Sequence, residues 1–281
     1  MRTTIRVGDV EITAIADKAH DFNPGFHFPS VDPEAWKPYS DLIEGPDGYV
    51  LVNFHCFLIR NGSQTVLIDT GWGPELGPPG APKERGALMG DLEGLGVEPG
   101  DIDVVAFTHL HADHVGWNTR LLDGRWVPTF PNAKYIFSQR DYDHYAGTNP
   151  DDHSHSAFRD SVLPIVEAGQ AVMINDDFSI DDTVTILPTP GHTPGHYCVR
   201  LQSKGAEAIL TGDLMHFGVQ VARPDWSAVF CVDGVASAAT RKKFIDTYAD
   251  SDVLIMPAHF PGPTCGHIIG SSAGTRFRLK T

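Results

Sequence analysis

Apolar runs bounded by Gly, Pro, Asn or Asp recur along this chain, and their lengths and borders predict its strands and helices. Residues 5–7 and 11–16 flank Gly8-Asp9, and residues 54–60 and 65–69 flank Asn61-Gly62, so each pair predicts a hairpin. Residues 84–95 predict a helix ended by Gly96, 134–137 a strand, and 139–145 and 158–168 helices, the second closed by Gly169. Residues 235–249 are the plainest helical stretch, with Ala236, Ala239, Phe244, Ile245 and Tyr248 available for an inner face. Strands followed by helices in two halves fit an α/β fold, a four-layer αβ/βα sandwich. The expected organisation is one domain over residues 1–281, with 17–50 as an N-terminal elaboration near the pocket or a dimer interface. No internal repeat stands out.

Four of the runs share one form: an apolar stretch, a Gly or Pro near its end, and a side chain able to bind a metal. Residues 65–68 lead to Asp69, 185–187 to His192, 208–210 to Asp213 and 253–256 to His259. Gly71, Gly191 and Gly212 would let the backbone turn where a Cβ obstructs it. The densest case follows the run 104–107. There Thr108-His109-Leu110-His111-Ala112-Asp113-His114 places three imidazoles and a carboxylate within six residues. Buried without a cation, these groups would all need polar partners, and the carboxylate charge would be costly. Imidazole and carboxylate suit Zn²⁺, Fe or Mn²⁺. A lone histidine is ordinarily packed or solvated; four ligand-type groups at one strand end point to a metal site.

From Asp69 to His259 these motifs resemble the metallo-β-lactamase-fold hydrolase superfamily in content and order. The resemblance rests on the His-x-His-x-Asp-His element, the Gly-His-Thr-Pro-Gly-His segment at 191–196, then Asp213 and His259. The chain is most similar to the branch holding lactonases and enzymes like methyl parathion hydrolase. The resemblance implies the metallo-β-lactamase fold and two divalent metal ions, zinc first, with iron, manganese or cobalt as alternatives. By position it implies that His109, His111 and His192 hold one ion, that Asp113, His114 and His259 hold the other, and that Asp213 bridges them. Asp69 and His196 would orient ligands rather than bind metal. Two such ions roughly 3.5–4 Å apart would hold a bridging hydroxide as nucleophile, so no serine or cysteine nucleophile is required. Relatives that reduce oxygen at a di-iron centre carry Glu where this chain has His111, which sets that role aside. Asp113 and His216 are the expected catalytic residues. His216, three residues after Asp213, stands where acyl-homoserine-lactone hydrolases of the superfamily place Tyr and where phosphotriesterase-like relatives can carry His. It would donate to the oxyanion or leaving group, or else be packing.

The formal net charge of −15, with only 21 Lys and Arg in 281 residues, argues against a nucleic-acid substrate. The basic groupings are Arg241-Lys242-Lys243, expected on the solvated face of a helix, and a short tail at 276–280. No apolar stretch approaches about 18 residues, and the N-terminus lacks a secretory apolar region, so no membrane partner and a cytoplasmic location are expected. Cys56, Cys198, Cys231 and Cys265 form no Cys-x-x-Cys pair and are read as buried free thiols.

Residues 22–49 carry Phe22, Phe26, Phe28, Trp36, Tyr39 and Tyr49. This segment reads as a pocket wall, a lid, a homodimer contact, or an arm packed on its own domain. Residues 141–160, with His144, His153 and His155, are a second candidate wall. The expected function is a dinuclear metal-dependent hydrolase of a small-molecule substrate, a hydrophobic ester, lactone or related bond. A phosphotriesterase-like hydrolase, a mononuclear iron persulfide dioxygenase and a metal-binding protein without turnover are the alternatives.

Overall fold

The structure, a computed structural model, describes residues 2–42, 49–62, 64–74, 86–150, 153–271 and 274–280. The chain divides into two compact units, Met1–Lys18 with Phe54–Phe178, and Ala19–Asn53 with Ser179–Thr281.

The first unit is centred on a seven-stranded sheet. Strands β1 (Arg2–Val7) and β2 (Val10–Phe22) form the hairpin expected at Gly8-Asp9, with Gly8 at φ 57°. Strands β3 (Val50–Arg60) and β4 (Thr65–Ile68) form the second antiparallel pair. Next come β5 (Val104–Ala106), a separate hairpin of β6 (Thr119–Leu122) and β7 (Arg125–Pro128), then β8 (Lys134–Ser138) and β9 (Ala171–Ile174). The sheet order is β1-β2-β3-β4-β5-β8-β9, with β4, β5, β8 and β9 parallel. Parallel strands are covered on both faces, which is why β4 and β5 are unbroken apolar runs. Leu58, Leu67, Val105, Phe107 and Tyr135 pack there with Leu88, Leu92, Phe158 and Ile165.

Two helices of this unit differ from expectation. The first spans Leu88–Gly94 rather than 84–95, and Gly96 follows at φ 69°; positions 84 and 85 lie outside the described residues. The stretch expected as a helix from 158 begins earlier, at His153–Ala157, and passes through a π-helical turn, Phe158–Val162, into Leu163–Glu167. Pro164 has no N–H with which to close a regular turn onto Asp160. The carbonyl thus released accepts from Thr119 Oγ1 at 2.8 Å.

The second unit is centred on another seven-stranded sheet, in chain order. Its strands are β10 (Phe178–Ser179), β11 (Val184–Pro188), β12 (Tyr197–Ser203), β13 (Ala206–Leu210), β14 (Leu254–Met256), β15 (Gly266–Ser271) and β16 (Gly274–Leu279). Only the β13–β14 pairing among those described is parallel. Cys198, Ile209, Leu214, Met215, Phe244, Ile245 and Ile255 form its core.

The late helix, Gly234–Tyr248, is N-capped by Asp233, whose carboxylate accepts from Val235 and Ala236 N–H. Its inner face is Ser237, Arg241, Phe244 and Ile245; Ala239 is exposed. Arg241 therefore does not lie on the solvated face. It is fully buried and donates to the carbonyls of Leu214 (2.9 Å), Pro224 (3.0 Å) and Trp226 (3.0 Å). Irregular backbone brought inside the unit needs donors, and a guanidinium supplies several at once. In the N-terminal segment, Phe28 and Trp36 are buried and pack against Trp226 and Phe217 of the same unit. Phe26 stays exposed; residues 43–48 lie outside the described residues.

Candidate metal centre

In the first unit the ligand-type residues emerge from neighbouring parallel strands. Asp69 follows β4 and the segment Thr108–His114 follows β5, so both leave the sheet at the carboxyl ends. Asp69 N donates to Ala106 O at 2.9 Å, which binds the two exits together. The Asp69 carboxylate then accepts from Thr108 N (2.8 Å), Thr108 Oγ1 (2.7 Å) and His114 Nδ1 (2.8 Å). These contacts settle the imidazole tautomers. His114 carries its proton on Nδ1. Thr108 Oγ1 has given its hydrogen to Asp69, so at 3.1 Å it accepts from His109 Nδ1. Both rings are left with an Nε2 lone pair, and that of His109 faces His111 Nδ1 at 2.9 Å. The side chain of Asp113 lies 3.6 Å from His114 Nε2 and is 22% exposed, against 1% for Asp69.

In the second unit Asp213 and His259 follow the parallel strands β13 and β14, and His192 follows β11. His259 Nδ1 donates to Asn53 O at 2.8 Å. A carbonyl only accepts, so in the neutral imidazole the lone pair of His259 is on Nε2, which stands 2.9 Å from Asp213 Oδ1. Two acceptors at that distance repel unless a proton or a metal ion joins them. His192 Nε2 lies 3.2 Å from Asp213 Oδ2, and its Nδ1 is 3.4 Å from Cys231 Sγ. His196 Nε2 accepts the Asp213 N–H at 3.1 Å while its Nδ1 meets Thr189 Oγ1 at 2.9 Å. Its one lone pair is thereby committed to positioning the Asp213 backbone.

Backbone chirality is decisive at Gly191, which sits at φ 135°; a Cβ there would come within 2.3 Å of Ser237 N, at the start of the late helix. Gly71 and Gly212 also take positive φ, 65° and 49°.

His216 is buried with its ring stacked on His259 (5.5 Å, 8°) and 5.0 Å from that of His192. Its Nε2 lies 3.2 Å from Asp213 Oδ2, and its Nδ1 has no hydrogen-bond partner among the described residues. Burial holds its pKa below the usual histidine value, against the pull of Asp213. Of the candidate wall, His144 packs edge-on to Tyr145 and His155 Nδ1 meets Thr148 Oγ1 at 3.3 Å; the His153 side chain lies outside the described residues.

Several residues had no signal in the sequence reading. The Asn53 carbonyl that orients His259 is backbone, which any residue provides. His27 sits in an irregular stretch with no periodicity, yet it is buried 6.4 Å from the His216 ring, and burial lowers its pKa to about 3. Cys198, Cys56 and Cys265 are buried free thiols, and Cys231 is half-buried.

Residues 49–259 match the metallo-beta-lactamase superfamily, and the chain belongs to that family. Its α/β fold is the family's. Among curated relatives, an N-acyl homoserine lactonase from a Bacillus species is 27% identical over 56% of this chain and 62% of its own length. The N-acyl homoserine lactonase AttM of Azorhizobium caulinodans is 32% identical over 44% of this chain and 45% of its own. The chain thus aligns with less than two thirds of the length of these relatives. A solved structure of AidC, a dizinc quorum-quenching lactonase in complex with its product, superposes with a TM-score of 0.82 at 21% identity, covering 100% of this chain and 97% of AidC.

Proposed function

We propose that this protein is a dinuclear metal-dependent hydrolase that opens a lactone bearing an apolar acyl group. The observation that carries this reading is the tautomer pattern. His109, His114 and His259 each have Nδ1 within hydrogen-bond distance of an oxygen, so each turns Nε2 toward other ligand-type atoms of its own unit. His109, His111 and His192 would hold one ion, Asp113, His114 and His259 the other, and Asp213 both. When bound, such a pair supplies an ionised water as nucleophile near neutral pH and polarises the scissile carbonyl. The chain's own groups do the rest. Asp69 and the Asn53 carbonyl orient imidazoles, and His196 fixes the Asp213 backbone. Neutral His216 donates to the developing oxyanion or the leaving alkoxide. Asp113, the most exposed of the three site carboxylates, would accept the proton given up by the attacking water and pass it to solvent.

The substrate class draws support from the names of the relatives and from the aromatic groups around His27. The net charge of −15 argues against a nucleic-acid substrate, as does Arg241, whose burial breaks up a basic run in which Lys242 already pairs with Asp246. No helix among the described residues is long and apolar enough to cross a membrane. The test is a panel of acyl lactones and aryl esters given to metal-loaded and chelator-stripped protein. Lactone opening that depends on metal is expected; loaded protein that leaves every lactone intact would refute the reading.

A further inference from the structure

At His192 the atom facing the second ring nitrogen is a sulfur. Its Nδ1 lies 3.4 Å from Cys231 Sγ, whereas the Nδ1 atoms of His109, His114 and His259 meet oxygens. The backbone builds this approach. Val232 N donates to His192 O at 2.8 Å and Asp233 N to Gly191 O at 3.0 Å, so the residues that follow Cys231 are bonded to the loop that carries the imidazole. On its other side, Cys231 N donates to Ala228 O at 3.0 Å. The same loop packs on the late helix, where only a glycine at 191 leaves room for Ser237 N.

The thiol hydrogen has a partner of its own. Cys231 Sγ donates to Ser237 Oγ at 3.5 Å, and that oxygen also accepts from Nη1 of the buried Arg241 at 3.4 Å. With its hydrogen turned to Ser237, the sulfur presents lone pairs to the imidazole. A thiol sulfur is a weak acceptor, and half-burial shields this one from much of the competition with water. All of these residues belong to one compact unit.

We propose that Cys231 is a positioning residue for His192. A neutral imidazole that binds a divalent ion through Nε2 carries its hydrogen on Nδ1, and here that N–H donates to Cys231 Sγ. The bond resists rotation of the ring and keeps Nε2 turned toward Asp213 Oδ2, 3.2 Å away. Arg241, Ser237 and Cys231 form a hydrogen-bonded chain from the late helix to the ligand. The inference rests on the dinuclear reading above and adds to it a sulfur partner beside the oxygen partners of the other rings.

The experiment measures the zinc affinity of the full chain by competition with a chromogenic chelator, under reducing conditions, in the parent, Cys231→Ala and Cys231→Ser. The parent is expected to take up two ions. In Cys231→Ala the Nδ1–H loses its acceptor, and the affinity for one of the two ions should fall about tenfold, the lower end of the loss when an outer partner of a ligand is removed. Cys231→Ser supplies an oxygen acceptor in place of sulfur and should stay within about threefold of the parent. Parental affinity in Cys231→Ala would overturn the proposal. So would equal losses in the Ala and Ser variants, the result that packing alone would give. A parent that takes up no zinc would instead overturn the dinuclear reading, and this proposal with it. None of these readouts uses turnover, so they decide the role of Cys231 whether or not a lactone is opened.

Discussion

Asp69 orders two neighbouring imidazoles at once. Its carboxylate fixes the proton of His114 directly and that of His109 through Thr108, so its removal frees two imidazoles to take the wrong tautomer. Asp69→Ala is expected to weaken metal binding about 10- to 100-fold, measured by competition with a chromogenic chelator; unchanged affinity would mean that the rings are held by packing. His216→Ala should do the opposite, leaving both ions bound while lowering kcat by about 1–3 kcal/mol, less than a full oxyanion donor because two ions carry most of the charge. A loss of metal in this variant would move His216 into the ligand set, and a parental kcat would reduce it to packing. The candidate ligands were legible because six consecutive residues hold four of them and the others end apolar runs. Asn53 was not, since its contribution is a carbonyl, and His27 was not, since its neighbours come from distant stretches of the chain.

Among the elements, the strand ends were the legible part, and the packing of the late helix was not. Parallel pairs β4–β5 and β13–β14 explain why ligand-type residues far apart in sequence leave each sheet side by side. The inner face of Gly234–Tyr248 escaped an apolar pattern because its centre is Arg241, which answers carbonyls that come from an irregular segment. One of those carbonyls belongs to Leu214, next to Asp213. Arg241→Met is therefore expected to lower stability by about 2–4 kcal/mol, since buried acceptors lose charged donors. Urea unfolding would show it; a change under about 0.5 kcal/mol would contradict the assigned role. Gly191→Ala should cost at least about 2 kcal/mol, combining an unfavourable φ of 135° with a contact of 2.3 Å against the helix backbone. Parental stability would show that the loop can move aside.

For the whole molecule, acid should act through groups that are buried neutral. His27 titrates near 6.5 when unfolded and near 3 when folded, so the unfolded chain takes up a proton first as pH falls. Its contribution to stability is complete above pH 6.5 and lost progressively down to about 3. Between pH 7 and 5 the metal-free parent should lose about 2 kcal/mol more than His27→Phe in urea unfolding; equal losses would contradict the burial of a neutral imidazole. The family match at 49–259 spans all seven residues of the proposed ligand assignment, His109, His111, Asp113, His114, His192, Asp213 and His259. The most direct test of that assignment is the metal content of the loaded and dialysed protein, by elemental analysis, beside that of Asp213→Ala. Two divalent ions per parent chain, with most of the metal and activity lost from a variant that remains folded, is the predicted result. A single iron per chain, or an Asp213→Ala variant that keeps its metal and its turnover, would contradict it.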